Sequence, residues 1–145
     1  MRRTNVFTPD LDQSSEREGY RWRGAWIGRQ LGSAQIGVSL YEVGEGERCW
    51  PYHLHHGMEE WLVVVDGAPT VRTPEGERTL RRGDVLCFPP GPEGAHQFRG
   101  PGTVLMLSAN RVPETIEYVD SGKLGARPPG KIFRLTDTVD YWDGE

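Results

Sequence analysis

The sequence predicts an all-β protein, built as an antiparallel sandwich or barrel, and three observations support this prediction. Short segments with strand-like patterns recur along the chain at intervals of about 8–12 residues. The 19 glycines and 11 prolines provide turn residues for many short elements. Helical periodicity is nearly absent, and the best helix signal covers only residues 8–13, with Thr8 as a candidate cap and Pro9 as the first helical residue.

Each predicted strand depends on a local pattern, and the patterns begin at Tyr20. Ile36, Val38 and Leu40 alternate with small residues, which is the period of two expected of a half-buried strand. A β-branched run ends at Asp66-Gly67, a strong turn signal, and residues 73–76 fit a type I turn. The candidate strands cover residues 35–43, 60–65, 69–73, 76–80, 84–88, 103–109, 115–119 and 131–135.

The chain length favours one domain. A chain of 145 residues is long enough to bury its own core without disulfides or other staples. We therefore expect a single domain over residues 1–145, with its motif-bearing core at about 35–110. Irregular N- and C-terminal segments should flank it. Because residues 120–130 are rich in Gly and Pro, we expect no regular structure there, at the start of a C-terminal extension at about 120–145.

Charge and hydropathy exclude several classes of partner. A net charge of -4 with scattered arginines gives no reason to expect nucleic acid. No apolar run approaches the roughly 20 residues of a membrane span. The first ten residues contain two arginines without an apolar segment behind them, so we expect no secretory signal and a cytoplasmic protein. Cys49 and Cys87 should then be reduced, as small buried hydrophobic residues.

Four side chains predict a metal site. His53 and His55 are one residue apart, so on a strand both imidazoles point to the same side. Glu60 follows across a turn that Gly57 permits, and strand pairing could bring His96 to the same place. Three imidazoles and one carboxylate suit divalent iron, manganese, cobalt, nickel or zinc, and do not suit calcium. Such a set leaves coordination positions open, as a working site requires.

Neighbouring residues should have other roles. By strand parity His56 points away from the site, and Glu59 falls in the turn or on the opposite face. Trp50 and Tyr52 should cover the outer face or pack on a partner subunit, while Met106 or its neighbours line the barrel mouth. Three further polar residues could reach a substrate anion, although ordinary surface is the expectation for each: Arg72, Gln97 and Arg99.

The chain resembles the cupin superfamily over about residues 46–107. The first cupin motif contains two histidines one residue apart, then a glutamate and a glycine. The second contains a glycine, a Pro-x-Gly turn and a histidine. The residues of this sequence at those places are, in order, His53, His55, Glu60, Gly67, Gly83, Pro89, Gly91 and His96.

Three places depart from the motifs. Glu47 stands where the first motif opens with a glycine. Four residues instead of two separate Gly91 from His96, and Gly100 stands where an asparagine often closes the second motif. All four ligand types are nevertheless in place, so the departures mainly affect the loop that positions His96.

The resemblance implies a jelly-roll barrel, or double-stranded β-helix, with one divalent transition metal inside and a homodimer as the default assembly. It also implies a small oxygen-rich ligand such as a sugar, sugar acid, keto acid or hydroxy acid. Three functions remain open: isomerase or lyase chemistry, an Fe(II)-dependent dioxygenase, and a module that binds without catalysis. A proton shuttle would have to come from Glu59, a tyrosine, an arginine-positioned water or Cys87.

Overall fold

The computed structural model describes residues 1–145 and shows an all-β fold, which confirms the predicted fold class. Most strands are short and antiparallel, and they form the two layers of a jelly roll. The structure contains no helix with the length and hydrophobicity needed to cross a bilayer. The strands are β1 (Gln13–Arg17), β2 (Tyr20–Ala25), β3 (Ile36–Val43), β4 (His53–His55), β5 (Glu60–Gly67), β6 (Thr70–Thr73), β7 (Gly76–Thr79), β8 (Val85–Phe88), β9 (Gln97–Arg99), β10 (Gly102–Ala109), β11 (Glu114–Tyr118), β12 (Lys123–Arg127) and β13 (Lys131–Arg134).

The first layer is a six-stranded sheet with the order β1-β2-β3-β10-β5-β8. The long strand β10 pairs antiparallel with β3 on one side and β5 on the other. The β5 strand pairs onward with β8, so Glu60 lies opposite Phe88. Thus the strand that begins at Glu60 is paired on both sides, which fixes the direction of its side chains.

The second layer consists of two smaller sheets, ordered β13-β12-β11-β4 and β7-β6-β9. Two isolated antiparallel bridges extend them: one joins Arg99 of β9 to Arg48, which lies outside the strands, and one joins His53 of β4 to His96, the residue before β9. The second bridge joins the two predicted motifs directly. It confirms that strand pairing brings His96 to the first cluster.

A hydrophobic core fills the space between the layers. Phe98, Leu62 and Val104 are fully buried within it. Burying a side chain of this size contributes about 1.5–3 kcal/mol relative to exposure. The core cluster comprises Val43, Cys49, Leu62, Val64, Val71, Leu80, Phe88, Phe98, Val104 and Met106.

Two predicted turns are present. Residues 74 and 75 connect β6 to β7, and Thr73 pairs with Gly76 across the hairpin. Gly67 ends β5 with a φ of +81°, and a Cβ at this position would lie 2.7 Å from the Gly102 Cα. Only glycine combines that conformation with such a close approach to backbone.

The predicted helix at residues 8–13 is wrong. The Thr8 backbone N–H instead closes a turn onto the Asn5 carbonyl, and β1 begins at Gln13. The one α-helix, α1 (Ile27–Leu31), begins after Trp26 without a side-chain cap and ends at Gly32 in the left-handed conformation. The helix therefore has a local cap at its C-terminal end only, and tertiary contacts stabilise the rest of it.

The irregular structure predicted for residues 120–130 is also wrong over β12. Lys123–Arg127 pairs with β11, and β13 pairs with β12. The extension therefore continues the sheet that contains β4, and it has no strand beyond residue 134. The N-terminal segment likewise contributes β1 and β2 to the first layer.

Candidate metal centre

The β4 strand positions two histidines. His53 and His55 are the first and last residues of this three-residue strand, so their side chains point to the same side, and both are buried. The His53 backbone N–H donates to the His96 carbonyl at 3.1 Å, and the His96 N–H donates back at 2.8 Å. On the other side, β4 pairs with β11, with His55 opposite Ile116. The backbone on both sides therefore fixes where the two imidazoles point.

Glu60 lies at the centre of the cluster. It begins β5, and its side chain is only 15% exposed. Its Oε2 atom lies 3.9 Å from His53 Nε2, 3.3 Å from His55 Nε2 and 3.2 Å from His96 Nε2. One carboxylate oxygen therefore faces three imidazole nitrogens from two motifs.

The loop before His96 accommodates the unusual spacing of the second motif. Pro92–Gly94 forms a turn of 3-10 helix, which takes up the extra residues. A Cβ at position 94 would overlap the Pro89 carbonyl oxygen, so the turn requires glycine. The His96 ring stacks on Phe88 with centroids 3.9 Å apart, and its Nδ1 hydrogen-bonds the Gly94 carbonyl at 2.9 Å.

The other two departures from the cupin motifs, at Glu47 and Gly100, have structural reasons. Gly46 adopts the turn conformation with a φ of +74°, so Glu47 can use its carboxylate to accept from the Arg21 backbone N–H and guanidinium. Gly100 packs so close to Gly44 that a Cβ there would overlap the Gly44 carbonyl oxygen. Neither place requires the residue that the motif usually has.

Hydrogen bonds to backbone carbonyls select one tautomer for His53 and His96. His53 Nδ1 lies 3.0 Å from the Pro51 carbonyl oxygen, and His96 Nδ1 lies 2.9 Å from the Gly94 carbonyl oxygen. Both nitrogens must donate, because a carbonyl only accepts. The neutral ring then has its lone pair on Nε2, the atom that faces Glu60. The buried His96 Nε2 has no hydrogen-bond partner, which is the condition of a ligand atom.

Sequence reasoning missed Glu114. This residue begins β11, its side chain is fully buried, and its Oε1 accepts from His55 Nδ1 at 3.2 Å. The same oxygen lies 3.4 Å from the Gly57 N–H, where a Cβ would crowd the carboxylate. A signal was available: Glu114 has the same strand parity as the inward-facing Ile116 and Tyr118, so a charge falls at a core position.

Burial and mutual proximity shift the pKa values in the cluster. Burial lowers the pKa of His53 to about 3, and the neighbouring His96 adds to this effect. Burial alone would also lower the pKa of His55, but the carboxylates of Glu60 and Glu114 outweigh it and raise the pKa. Burial alone would raise the pKa of Glu60, but His55 and His96 hold it well below its usual value. A neutral His53 and an ionised Glu60 are the forms that bind metals.

The four predicted ligands lie together, with one distinction. The ligand atoms of His53, Glu60 and His96 all lie within 4.8 Å of one another, so this group is placed to hold a metal. His55 is outside that group, although its Nε2 is within 3.3 Å of Glu60. The His53 and His55 rings are 5.1 Å apart at an angle of 75°. His55 therefore approaches the cluster from the Glu60 side.

Two cavities open onto the cluster. One of about 250 Å³ is lined by His53 and Glu60, and a wider one of about 570 Å³ is lined by His55 and Glu60. They share the walls formed by Gly37, Ser39, Ser108 and Ile116. Met106 lines the smaller cavity, as expected, and Tyr41, Trp50 and Tyr118 line it as well.

Several neighbouring residues lie away from the cluster. His56 is exposed and bonds Glu117 at 3.2 Å, and Glu59 is exposed beside Trp61. The expectation of an outer position for Trp50 is wrong, because its ring packs edge-on against His53. The residues considered for a substrate anion line a separate cavity that contains none of the four predicted ligands: Arg72, Gln97 and Arg99.

The two cysteines differ in their surroundings. Cys49 is buried in the core and burial raises its pKa, whereas Cys87 is exposed. The expectation that both are buried is therefore wrong for Cys87. Partial burial of the thiol raises the pKa of Cys87. The Glu59 carboxylate, 3.9 Å from Cys87 Sγ, raises this pKa further.

Comparisons with known proteins agree with the fold. The cupin domain family matches residues 39–109. A sugar phosphate isomerase of the cupin superfamily from Silicibacter pomeroyi superposes with a TM-score of 0.78 at 22% identity, over 98% of each chain. A provisionally named sugar phosphate isomerase from Acidithiobacillus ferrooxidans gives 0.76 at 23% identity, over 84% of this chain and 81% of its own.

A more distant neighbour has a different activity. The polyketide cyclase RemF from Streptomyces resistomycificus has a TM-score of 0.58 at 19% identity, over 79% of this chain and 83% of its own. No protein of curated function matches the sequence. At these identities the structural likeness establishes the fold alone. Residues 39–109 of the chain therefore belong to the cupin domain family.

Proposed function

We propose that the chain binds one divalent transition metal through His53, His55, Glu60 and His96. The observation that carries this proposal is the convergence of three Nε2 atoms on Glu60 Oε2, at 3.9, 3.3 and 3.2 Å. Ligand bonds of about 2.0–2.2 Å place two donors of one metal about 3 Å apart. The His55 and His96 contacts to Glu60 are already close to that spacing, whereas His53 and the pairs of imidazoles would have to move closer together.

The donor set fits such a metal chemically. Each of the three Nδ1 atoms already has an acceptor, so each Nε2 is left as the ligand atom. Hydrogen bonds of this kind orient ligating histidines and raise their basicity. Three imidazoles and a carboxylate favour a transition metal of the zinc, manganese, iron, nickel or cobalt group.

We further propose that the function is isomerase or lyase chemistry on a small oxygen-rich metabolite. When bound, the metal would supply a Lewis acid that polarises a carbonyl oxygen. The neighbouring cavity of about 250 Å³ has room for a small molecule beside His53 and Glu60. The two closely superposing sugar phosphate isomerases support this class of reaction.

A tyrosine provides a proton donor in that cavity. Tyr41 lines it, and burial raises the pKa of this phenol to about 12. Tyr41 therefore keeps its proton at neutral pH and can donate a hydrogen bond to a substrate oxygen. Two of the other candidates, Glu59 and Cys87, lie elsewhere, since both are exposed and line neither cavity beside the cluster.

Three broader proposals accompany this one. Residues 1–145 form a single domain, because β12 and β13 extend the sheet that contains β4. The protein is cytoplasmic, in keeping with two free thiols. It forms a homodimer through its extension, where apolar side chains are exposed and would gain from burial in a symmetric interface: Ile132, Phe133, Val139, Tyr141 and Trp142.

The metal content of untagged protein tests the site. We expect stoichiometric metal in the native protein and its loss in the double variant His53→Ala plus His55→Ala. Glu60→Gln should lose metal, whereas the neighbouring Glu59→Gln should retain it, since Glu59 is exposed. Unchanged metal in the double variant would refute the ligand assignment.

An activity panel tests the reaction class. Aldose and ketose substrates, with and without phosphate, would be followed by NMR for isomer formation in metal-loaded protein. We expect metal-dependent product without oxygen consumption. Metal-dependent oxygen uptake would instead indicate a dioxygenase and would overturn the proposed reaction class.

A further inference from the structure

Two arginines line the wider cavity beside the metal centre. Arg29 and Arg127 are both exposed, and both line the cavity of about 570 Å³ that His55 and Glu60 also line. Neither arginine has a carboxylate within ion-pair distance. Both lie outside residues 39–109, so no cupin motif accounts for them.

The fold brings these arginines in from opposite ends of the chain. Arg29 belongs to α1, and its guanidinium lies 5.7 Å from the centroid of the Trp26 ring, which also lines the cavity. Arg127 ends β12, where it pairs with Glu114 in the register. Since paired residues of antiparallel strands share a face, Arg127 emerges on the His55 side of the sheet.

The charge balance of the cavity is positive. Glu60 is its only acidic residue, and the metal would take that carboxylate as a ligand. Glu114 engages His55 Nδ1 and the Gly57 N–H through Oε1. In contrast, five arginines elsewhere each have a carboxylate within 3.2 Å: Arg21, Arg23, Arg72, Arg78 and Arg99. Unpaired guanidinium groups beside a metal attract anions and bind phosphate oxygens in a bidentate geometry.

The walls between the arginines and the metal centre carry small polar groups. Ser39, Ser108 and Asn110 line the cavity and offer hydrogen bonds to hydroxyl groups. Gly37 lies between them, and a Cβ there would come within 2.8 Å of Ser108 Oγ. Glycine therefore keeps a side chain out of this part of the cavity wall.

We propose that Arg29 and Arg127 bind the phosphate of a phosphorylated sugar whose oxygen atoms reach the metal centre. This inference deepens the proposed function, and the contact between the sugar oxygens and the metal centre rests on that function. The anion site itself depends only on the two arginines and can be tested without metal.

The first experiment uses metal-free protein and inorganic phosphate, with binding followed by NMR chemical shifts and calorimetry. We expect saturable binding at millimolar phosphate that disappears in the double variant Arg29→Gln plus Arg127→Gln. The matched control is Arg134→Gln, because Arg134 is exposed on β13 and lines none of the five main cavities. No binding to the native protein, or equal binding to the double variant, would overturn the anion site.

The second experiment compares glucose, gluconate and glucose 6-phosphate as probes of metal-loaded protein by calorimetry. Charge-assisted hydrogen bonds should make glucose 6-phosphate bind about tenfold or more tightly than glucose. The double arginine variant should lose this advantage and keep its affinity for glucose. Equal affinity for gluconate and glucose 6-phosphate would refute phosphate as the anion.

The two experiments separate this inference from the proposed function. If the protein binds no metal but binds phosphate in an arginine-dependent manner, the metal proposal fails and the anion site stands. If metal is bound at the four ligands while phosphate binding does not depend on Arg29 and Arg127, the anion site fails and the metal proposal stands.

Discussion

Replacing Glu114 with Gln should weaken metal binding without touching a ligand. Glu114 accepts from His55 Nδ1 at 3.2 Å, and its side chain is fully buried, so no water screens the contact. A hydrogen bond to a charged group contributes about 1.5–3 kcal/mol and a neutral one about 0.5–1.5. Glu114→Gln retains an acceptor and loses the charge, which costs about 1–2 kcal/mol, or about 5- to 30-fold in metal affinity.

The chain provides a matched control on the same strand. Glu117 bonds His56 at the same distance of 3.2 Å, but both side chains are partly exposed and His56 faces away from the cluster. Glu117→Gln should therefore leave metal affinity within about twofold of the native value. Competition titration against a chelator measures all three affinities, with circular dichroism to verify folding. Native-like affinity in Glu114→Gln, or an equal loss in Glu117→Gln, would contradict a contribution of the Glu114 charge to metal binding.

Other variants test the parts that support the site. Gly94→Ala should lower both the melting temperature and metal affinity, because its Cβ would overlap the Pro89 carbonyl oxygen, whereas Gly44→Ala meets no atom within 4 Å and should be neutral in both assays. A thiol reagent should modify only Cys87 in native protein and both cysteines in denaturant, and fast modification of two native thiols would contradict the burial of Cys49. Phe98→Ala should cost about 3–5 kcal/mol in the free energy of unfolding measured with urea, and a loss below about 1 kcal/mol would contradict its place in the core.

The ligand cluster was predictable because its geometry is mostly local. Strand parity places His53 and His55 on one side of β4, and Glu60 begins the next strand along the chain. His96 is distant in the sequence from the other three residues, and the spacing of the second cupin motif predicted that it would join them. Its final aim depends on the Gly94 turn and on stacking against Phe88, which only the folded chain reveals.

Glu114 was missed because its role depends on a long-range pairing. It meets His55 only since β11 pairs with β4 across 59 residues of chain. The same sheet explains the missed strand at Lys123–Arg127. Gly125 and Ala126 have low β-propensity, but the edge of β11 supplies partners that override it. The predicted N-terminal helix failed for a related reason, since Gln13, at its end, instead pairs with Gly24 of β2.

The most direct test of the metal centre is the anomalous scattering of a crystal of the metal-loaded native protein. We expect one peak about 2.0–2.2 Å from the Nε2 atoms of His53, His55 and His96 and from a Glu60 oxygen. His55 lies outside the group of His53, Glu60 and His96, whose ligand atoms are within 4.8 Å of one another. Its distance to the peak therefore decides between three and four ligands. A metal bound elsewhere, or bound by His53, Glu60 and His96 with His55 out of reach, would contradict the four-ligand site.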